Sequence, residues 1–247
     1  MSNSTKKTVL ITGVTRGIGL EATRKFLSLG YRVAGCARRK KRLGEIEKDF
    51  GDDFIGISAD LTKEGDIDHL FSEVRDRFGP IDVLINNAGV GYETSIMDGD
   101  PLHWKEMLDL NVYALALCCR QALDDMRVKD KGYIFNISSM SAHRVTEGGG
   151  VYAATKYAVR ALTEGLRQEL CAKKSGIRVT AISPGFVETE FYNSYYHKLD
   201  DADKKTVFDD VVALQASDVV DAIVYSLNTA SHVGINDILM RPLEQMS

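Results

Sequence analysis

The sequence predicts one α/β domain, a doubly wound, seven-stranded parallel sheet flanked by helices. Three observations carry this expectation. Seven short runs rich in Val and Ile, at 8–12, 31–36, 54–59, 82–86, 133–138, 178–183 and 237–240, are apolar almost throughout, as strands buried on both faces must be. Amphipathic stretches alternate with them, which implies right-handed crossovers onto one sheet. No linker, repeat or low-complexity stretch divides the 247 residues, a length that buries a core without a disulfide or metal.

Taken in order, the first strand runs into a glycine-rich turn, Thr12-Gly13-Val14-Thr15-Arg16-Gly17-Ile18-Gly19, and then a helix at 21–29. Glycines let a backbone approach a pyrophosphate, whose charge a helix N-terminus favours. The second strand ends in Cys36-Ala37-Arg38-Arg39, and Lys40, Lys41 and Arg42 continue as a basic surface run. Asp60 and Leu61 follow the third strand, ahead of a helix at 67–78. The fourth closes on Asn86-Asn87-Ala88-Gly89 and leads to a helix at 104–126. After the fifth strand come Ser138, Ser139 and a long connection, 139–150, ending in three glycines. A helix at 152–173 opens with Tyr152-Ala153-Ala154-Thr155-Lys156, and the sixth strand ends in Pro184-Gly185. The segment 188–212, with Phe191, Tyr192, Tyr195 and Tyr196 among charged residues, breaks the alternation. Long segments of this kind in a compact domain are functional loops, and this one reads as a lid. The organisation is a cofactor half at about 1–138 and a catalytic and substrate half at about 139–247.

Composition narrows the function. Apolar residues at 44% and charged residues at 27% exclude a disordered chain. A net charge of −4 gives no general attraction to nucleic acid or anionic membrane. No apolar run approaches the ~20 residues of a membrane span, and MSNSTKKT is too polar for a signal peptide. The expectation is a soluble cytoplasmic protein acting on a small molecule. Cys36, Cys118, Cys119 and Cys171 lack paired C-x-x-C spacing, so they read as reduced structural thiols, and no metal site is expected.

Taken together, the glycine turn, Asp60, Asn86-Asn87-Ala88-Gly89, Asn111, Ser139, Tyr152 with Lys156, and Pro184-Gly185 with Thr189 resemble the ordered motifs of the short-chain dehydrogenase/reductase family. The likeness spans nearly the whole chain and implies a single-domain Rossmann fold, a nicotinamide cofactor and a homotetramer or homodimer. The chemistry is consistent. Moving a hydride between a carbinol carbon and a nicotinamide needs a proton donor or acceptor beside the oxygen. A free tyrosine titrates near pH ~10. A lysine at i+4 is expected to stabilise the phenolate and lower that value. The Ser139 hydroxyl can steady charge on the substrate oxygen. Ser138 and Ser141 are rivals for that role, and the family spacing of thirteen residues before Tyr152 favours Ser139.

The resemblance also implies that Asn111 positions a water in a proton relay and that Lys156 contacts the nicotinamide ribose. It gives Gly13, Thr15, Arg16, Gly17, Ile18 and Gly19 to the phosphates, Asp60 and Leu61 to the adenine, and Asn87, Ala88 and Gly89 to the ribose side. Pro184, Gly185, Val187 and Thr189 fall to the carboxamide. The position that usually carries an acidic residue against a ribose 2′-hydroxyl is Ala37, followed by Arg38 and Arg39. Arginine forks suit a 2′-phosphate, so Arg16, Arg38 and Arg39 point to NADP.

Within the family, the stretches 136–145, 155–170 and 240–242 resemble the member-11 branch of the dehydrogenase/reductase group and the insect farnesol dehydrogenases. That implies a carbonyl reductase or alcohol dehydrogenase on a fairly apolar substrate. Phe186, Phe191, Tyr192, Tyr195 and Tyr196 are the expected pocket wall, with Ser141 and His143 as polar contacts and Arg144 able to pair a carboxylate. The alternatives are a 3-hydroxy acid dehydrogenase and a non-catalytic NADP-binding sensor.

Overall fold

The computed structural model describes residues 6–200 and 211–245. Strands β1 (Thr8–Thr12), β2 (Arg32–Ala37), β3 (Phe54–Ser58), β4 (Val83–Asn86), β5 (Gly132–Ile137), β6 (Ile177–Pro184) and β7 (Asp237–Met240) form one sheet in the order 3-2-1-4-5-6-7. Every neighbouring pair is parallel. The strands keep within about one residue of the runs read from the sequence.

Alternation along the buried strands sends side chains to two cores. On one face Leu10, Ala34, Leu84 and Ile134 meet Leu70 and Phe71 of α3 (Glu64–Phe78), Ala122 of α5 (Leu115–Lys129) and Val159 of α6 (Gly150–Ala172). On the other, Val9, Ile11, Val33 and Phe135 meet Phe26 of α1 (Gly17–Ser28), Leu43 of α2 (Lys40–Phe50) and Ile223 of α8 (Ala216–Leu227). Local signals set the helix ends. Asp100 caps α4 (Pro101–Leu108), its carboxylate accepting from Leu102 N at 2.8 Å with Pro101 in the first turn. Gln215 and Asp218 form a reciprocal capping box at α8. α3 starts with Glu64 and Asp66 and ends with Arg75 and Arg77, matching its dipole.

One expectation is corrected. Residues 104–126 are not one helix: α4 ends at Leu108, a π-helical turn occupies Asp109–Ala114, and α5 continues from Leu115. The basic run Lys40-Lys41-Arg42 is exposed as expected, and it forms the first turn of α2, which buries Leu43 and Ile46 beneath β3. The segment 188–212 includes 201–210, which lies outside the described residues. Its described part holds α7 (Phe191–Tyr195) and a parallel bridge between Val187 and Leu214.

The strand order reverses between β1 and β4, and ligands of open α/β sheets bind beyond the carboxyl ends of the strands at such a point. Among the described residues no helix is long and apolar enough to cross a membrane. None of their His, Cys, Asp and Glu side chains cluster as a metal site would require.

Candidate active site

At the carboxyl ends of β1 and β4 the chain turns on Gly13, whose φ of +76° is strained for any residue with a side chain. A Cβ there would stand 3.0 Å from Ala88 Cα. Gly19 lets α1 lie against the turn, since a Cβ at that position would fall 2.2 Å from the Gly13 carbonyl oxygen. Asn87 locks the two crossovers together: its Nδ2 donates to the carbonyls of Thr12 (2.9 Å) and Gly13 (3.1 Å). The Thr12 hydroxyl in turn accepts from the backbone N–H of Asn87 and Ala88.

This cradle opens into a cavity of about 730 Å³ that runs from Arg16, Arg38, Arg39 and Asp60 at one end to Tyr152, Phe191, Tyr192 and Tyr195 at the other. At the first end Arg39 Nη2 donates to the Thr15 hydroxyl at 3.1 Å. Arg38 is exposed and reaches Glu106 on α4. Burial works to raise the Asp60 carboxyl, but hydrogen bonds from Thr62 and the charges of Lys63 and Arg38 hold it below its ordinary value. The turn residues fit a phosphate-bearing cofactor because backbone, not side chain, lines the floor.

At the other end Ser139, Tyr152 and Lys156 share the cavity wall. Ser139 is placed by β5 and caps a 3₁₀ turn over Met140–Ala142, its hydroxyl accepting from Ser141 N at 3.0 Å. Tyr152 and Lys156 lie one turn apart on α6, both buried. Burial pushes the Tyr152 phenol well above its ordinary value; a hydrogen bond with Ser139 draws it partly back, and Tyr195 adds to the rise. Burial alone pushes the Lys156 ammonium down to about 8. The expectation that Lys156 draws the phenol down is therefore not met in this structure. Its Nζ stands 5.7 Å from the Tyr152 ring centre and donates to the Ile137 carbonyl at 3.0 Å, so desolvation outweighs it.

Aromatic rings close the site. The rings of Phe191 and Tyr195 lie 5.6 and 5.3 Å from that of Tyr152. The segment after β6 is anchored where Glu188 N donates to Leu214 O (2.8 Å) and Leu214 N to Phe186 O (2.9 Å). Gln245 from the C-terminal tail accepts from Phe186 N at 2.9 Å.

Of the residues singled out in the sequence, Gly13, Thr15, Gly17, Ile18, Leu61, Asn87, Ala88, Gly89, Ser141, Pro184, Gly185, Val187 and Thr189 also line the cavity. Gly19, Asn111 and His143 do not. Asn111 sits in the π turn, fully buried, with its amide committed: Oδ1 accepts from Val90 N (2.9 Å) and Nδ2 donates to Val90 O (2.7 Å) and to the Thr155 hydroxyl (3.1 Å). His143 turns away to Asp237, 3.2 Å off, a carboxylate that also accepts from Arg160 and Ser183. Its neighbour Arg144 faces the cavity instead. Ser138 is no rival to Ser139, since its hydroxyl donates to the Lys156 carbonyl at 3.2 Å. Thr146 and Glu147 belong to the 139–150 connection already singled out; sequence reasoning missed Glu93 on the substrate side and Gln245 behind Phe186. Their only signal is tertiary contact.

Comparison with known proteins agrees with this geometry. The family model of the short chain dehydrogenases matches residues 7–200. Dehydrogenase/reductase SDR family member 11 of Bos taurus is 41% identical, with 96% of each chain covered. Among solved structures, the closed form of serine dehydrogenase complexed with NADP+ superposes with a TM-score of 0.89 at 33% identity, covering 94% of each chain. A variant of the actinorhodin polyketide ketoreductase with NADPH gives 0.86 at 27% identity over 97% of each. With its parallel sheet, glycine cradle and the Ser139, Tyr152 and Lys156 cluster, the chain is an oxidoreductase belonging to the short-chain dehydrogenase family.

Proposed function

We propose that this protein is an NADP(H)-dependent oxidoreductase that interconverts an alcohol with its ketone or aldehyde, acting as a carbonyl reductase on a fairly apolar substrate. The observation that carries this reading is the convergence of Ser139, Tyr152 and Lys156 on the same cavity as the glycine cradle. The nicotinamide, when bound, supplies or accepts the hydride. Tyr152, kept neutral by burial, is suited to hand its proton to the carbonyl oxygen, and the Ser139 hydroxyl donates to that oxygen as charge grows on it. The Lys156 ammonium then stabilises the phenolate that remains. Asn111 acts by holding the Val90 peptide and Thr155 against this cluster, so it is a positioning residue.

NADP over NAD is supported by the missing carboxylate at Ala37, by Arg16, Arg38 and Arg39 around that end, and by the NADP+ and NADPH held by the two similar structures. Phe186, Phe191 and Tyr192 favour an apolar substrate. A second reading, a 3-hydroxy acid substrate, is favoured by Arg144 in the cavity wall and by the likeness to serine dehydrogenase. Exposed Leu108, Tyr113, Tyr157 and Leu162 along α4–α6 support a homodimer or homotetramer. Buried free thiols at Cys36, Cys118 and Cys119 suit a reducing compartment such as the cytoplasm.

The test is NADPH oxidation against apolar ketones, apolar aldehydes and 3-oxo acids, run beside Tyr152→Phe. Turnover by the parent with an apolar carbonyl, and a drop of at least about 100-fold in the variant with NADPH binding retained, is the expected outcome. Turnover near the parent level in the variant would remove Tyr152 as the proton donor. Preference for the 3-oxo acids would select the second reading.

A further inference from the structure

Arg38 leaves the end of β2 and extends over the adenosine end of the cavity to α4, where its Nη1 lies 3.5 Å from Glu106 Oε1. The guanidinium is 64% exposed and Glu106 30%. The other Glu106 oxygen is engaged as well, for the Tyr92 hydroxyl donates to Oε2 at 2.7 Å. Tyr92 is fixed from both sides. His103 stacks on its ring at 4.0 Å with the planes 12° apart, and His197, just beyond α7, meets both rings edge-on at 5.5 and 4.8 Å. Glu106 is thus a positioned carboxylate beside Arg38, held through Tyr92 by a packed aromatic cluster, with Arg38 as its counter-charge.

We propose that Glu106 is a specificity-determining residue: it holds Arg38 in competition with the 2′-phosphate of the cofactor and so limits how strongly the enzyme prefers NADP(H) over NAD(H). The inference rests on the reading above in which Arg38 meets that phosphate. A carboxylate here opposes the phosphate in two ways. It occupies donors of the fork that the phosphate needs, and it repels the phosphate charge directly. NAD(H) carries a hydroxyl at that position and feels neither effect. The Tyr92 hydrogen bond draws charge from Glu106 and weakens its hold on Arg38, so removing the hydroxyl and removing the carboxylate shift cofactor choice in opposite directions. An ion pair this exposed is weak, so the expected changes are about 2- to 5-fold.

The experiment is a binding titration of the full chain with NADPH and with NADH, followed by quenching of the single tryptophan, Trp104, for the parent, Glu106→Gln, Tyr92→Phe and Arg38→Ala. Glu106→Gln is expected to tighten NADPH about 2- to 5-fold and to leave NADH unchanged. Tyr92→Phe should loosen NADPH selectively. Adding salt should shrink both differences. An unchanged ratio of the NADH to the NADPH dissociation constant in Glu106→Gln, or a fall in that ratio, overturns the proposal. Arg38→Ala separates this failure from that of the underlying reading: if it leaves NADPH affinity intact, Arg38 does not meet the phosphate at all. Should Glu106→Gln fail to fold, Glu106→Asp, whose carboxylate stops about 1.5 Å short, takes its place with the same expected direction.

Discussion

Lys156 is an ammonium withdrawn from water, 6% exposed, with the Ile137 carbonyl as its hydrogen-bond partner. Burial lowers its value from 10.5 to about 8, so at neutral pH the fold holds a charge that the unfolded chain solvates better. Between about pH 8 and 10.5 the unfolded state binds more protons at this site, and the contribution of Lys156 to stability rises with pH. Lys156→Met is therefore expected to be more stable than the parent at pH 7. That gap should narrow by up to roughly 3 kcal/mol as the pH climbs to 10.5, measured by urea unfolding at each pH. A constant gap would mean that Lys156 keeps its ordinary affinity for protons. The spacing of Tyr152 and Lys156 was legible in the sequence because i, i+4 on a helix fixes which side chains are neighbours. The rise of the Tyr152 phenol was not, since it comes from burial and, less, from Tyr195, which only tertiary packing brings together. His143 and Arg144 make the same point. Adjacent in sequence and both polar, they separate only because Asp237 sits where His143 can reach it.

At the scale of elements, the strands were legible to within about a residue because a parallel strand covered on both faces must be apolar at nearly every position. α2 was not. Its three leading basic residues resemble a surface run, and the two buried positions that make it a helix, Leu43 and Ile46, stand among charged neighbours. The π turn at Asp109–Ala114 was also hidden, because an i→i+5 pattern leaves no distinct periodicity in six residues. That turn carries Asn111, whose amide satisfies both polar groups of the buried Val90 peptide unit. Asn111→Leu leaves a donor and an acceptor without partners at a cost of about 1–3 kcal/mol each. A fall of roughly 2–6 kcal/mol in unfolding free energy is expected by chemical denaturation, with activity falling alongside. A loss under about 1 kcal/mol would show that the peptide finds other partners.

For the molecule as a whole, the two ends of one cavity are set by different halves of the chain, and cofactor choice should be separable from catalysis. One charge-assisted hydrogen bond to a 2′-phosphate contributes about 1.5–3 kcal/mol, so the parent should prefer NADPH over NADH by at least roughly 10-fold in kcat/KM. The double change Ala37→Asp with Arg38→Ile should reverse the preference, since it adds an acceptor for the ribose hydroxyl and removes the fork. Equal use of both cofactors by the parent would reduce the arginines to surface charge. The outward apolar residues of α4–α6 give a second whole-molecule expectation. Light scattering should return two or four times the 27.3 kDa chain, and Leu162→Arg should lower that mass. The glycine cradle and the catalytic spacing could be read from residues close together in the chain. The substrate wall was legible only in part: Arg144 and the aromatic residues at 186–196 could be singled out, but Glu93 and Gln245 come from distant segments.

The π turn also sets a limit on how this protein can be improved. A π turn is an α-helix with one residue too many, so deleting a single residue between Asp109 and Ala114 would let α4 and α5 fuse into a regular rod with better hydrogen-bond geometry. The same deletion would narrow the turn that carries Asn111 and shift its side chain off Val90, while the flanking helices keep roughly their present faces. The regained helix geometry would be offset by the Val90 polar groups left without Asn111, and turnover would fall as well. Stabilising consensus designs for this scaffold should therefore leave the helix irregular at 109–114 and seek their gains elsewhere.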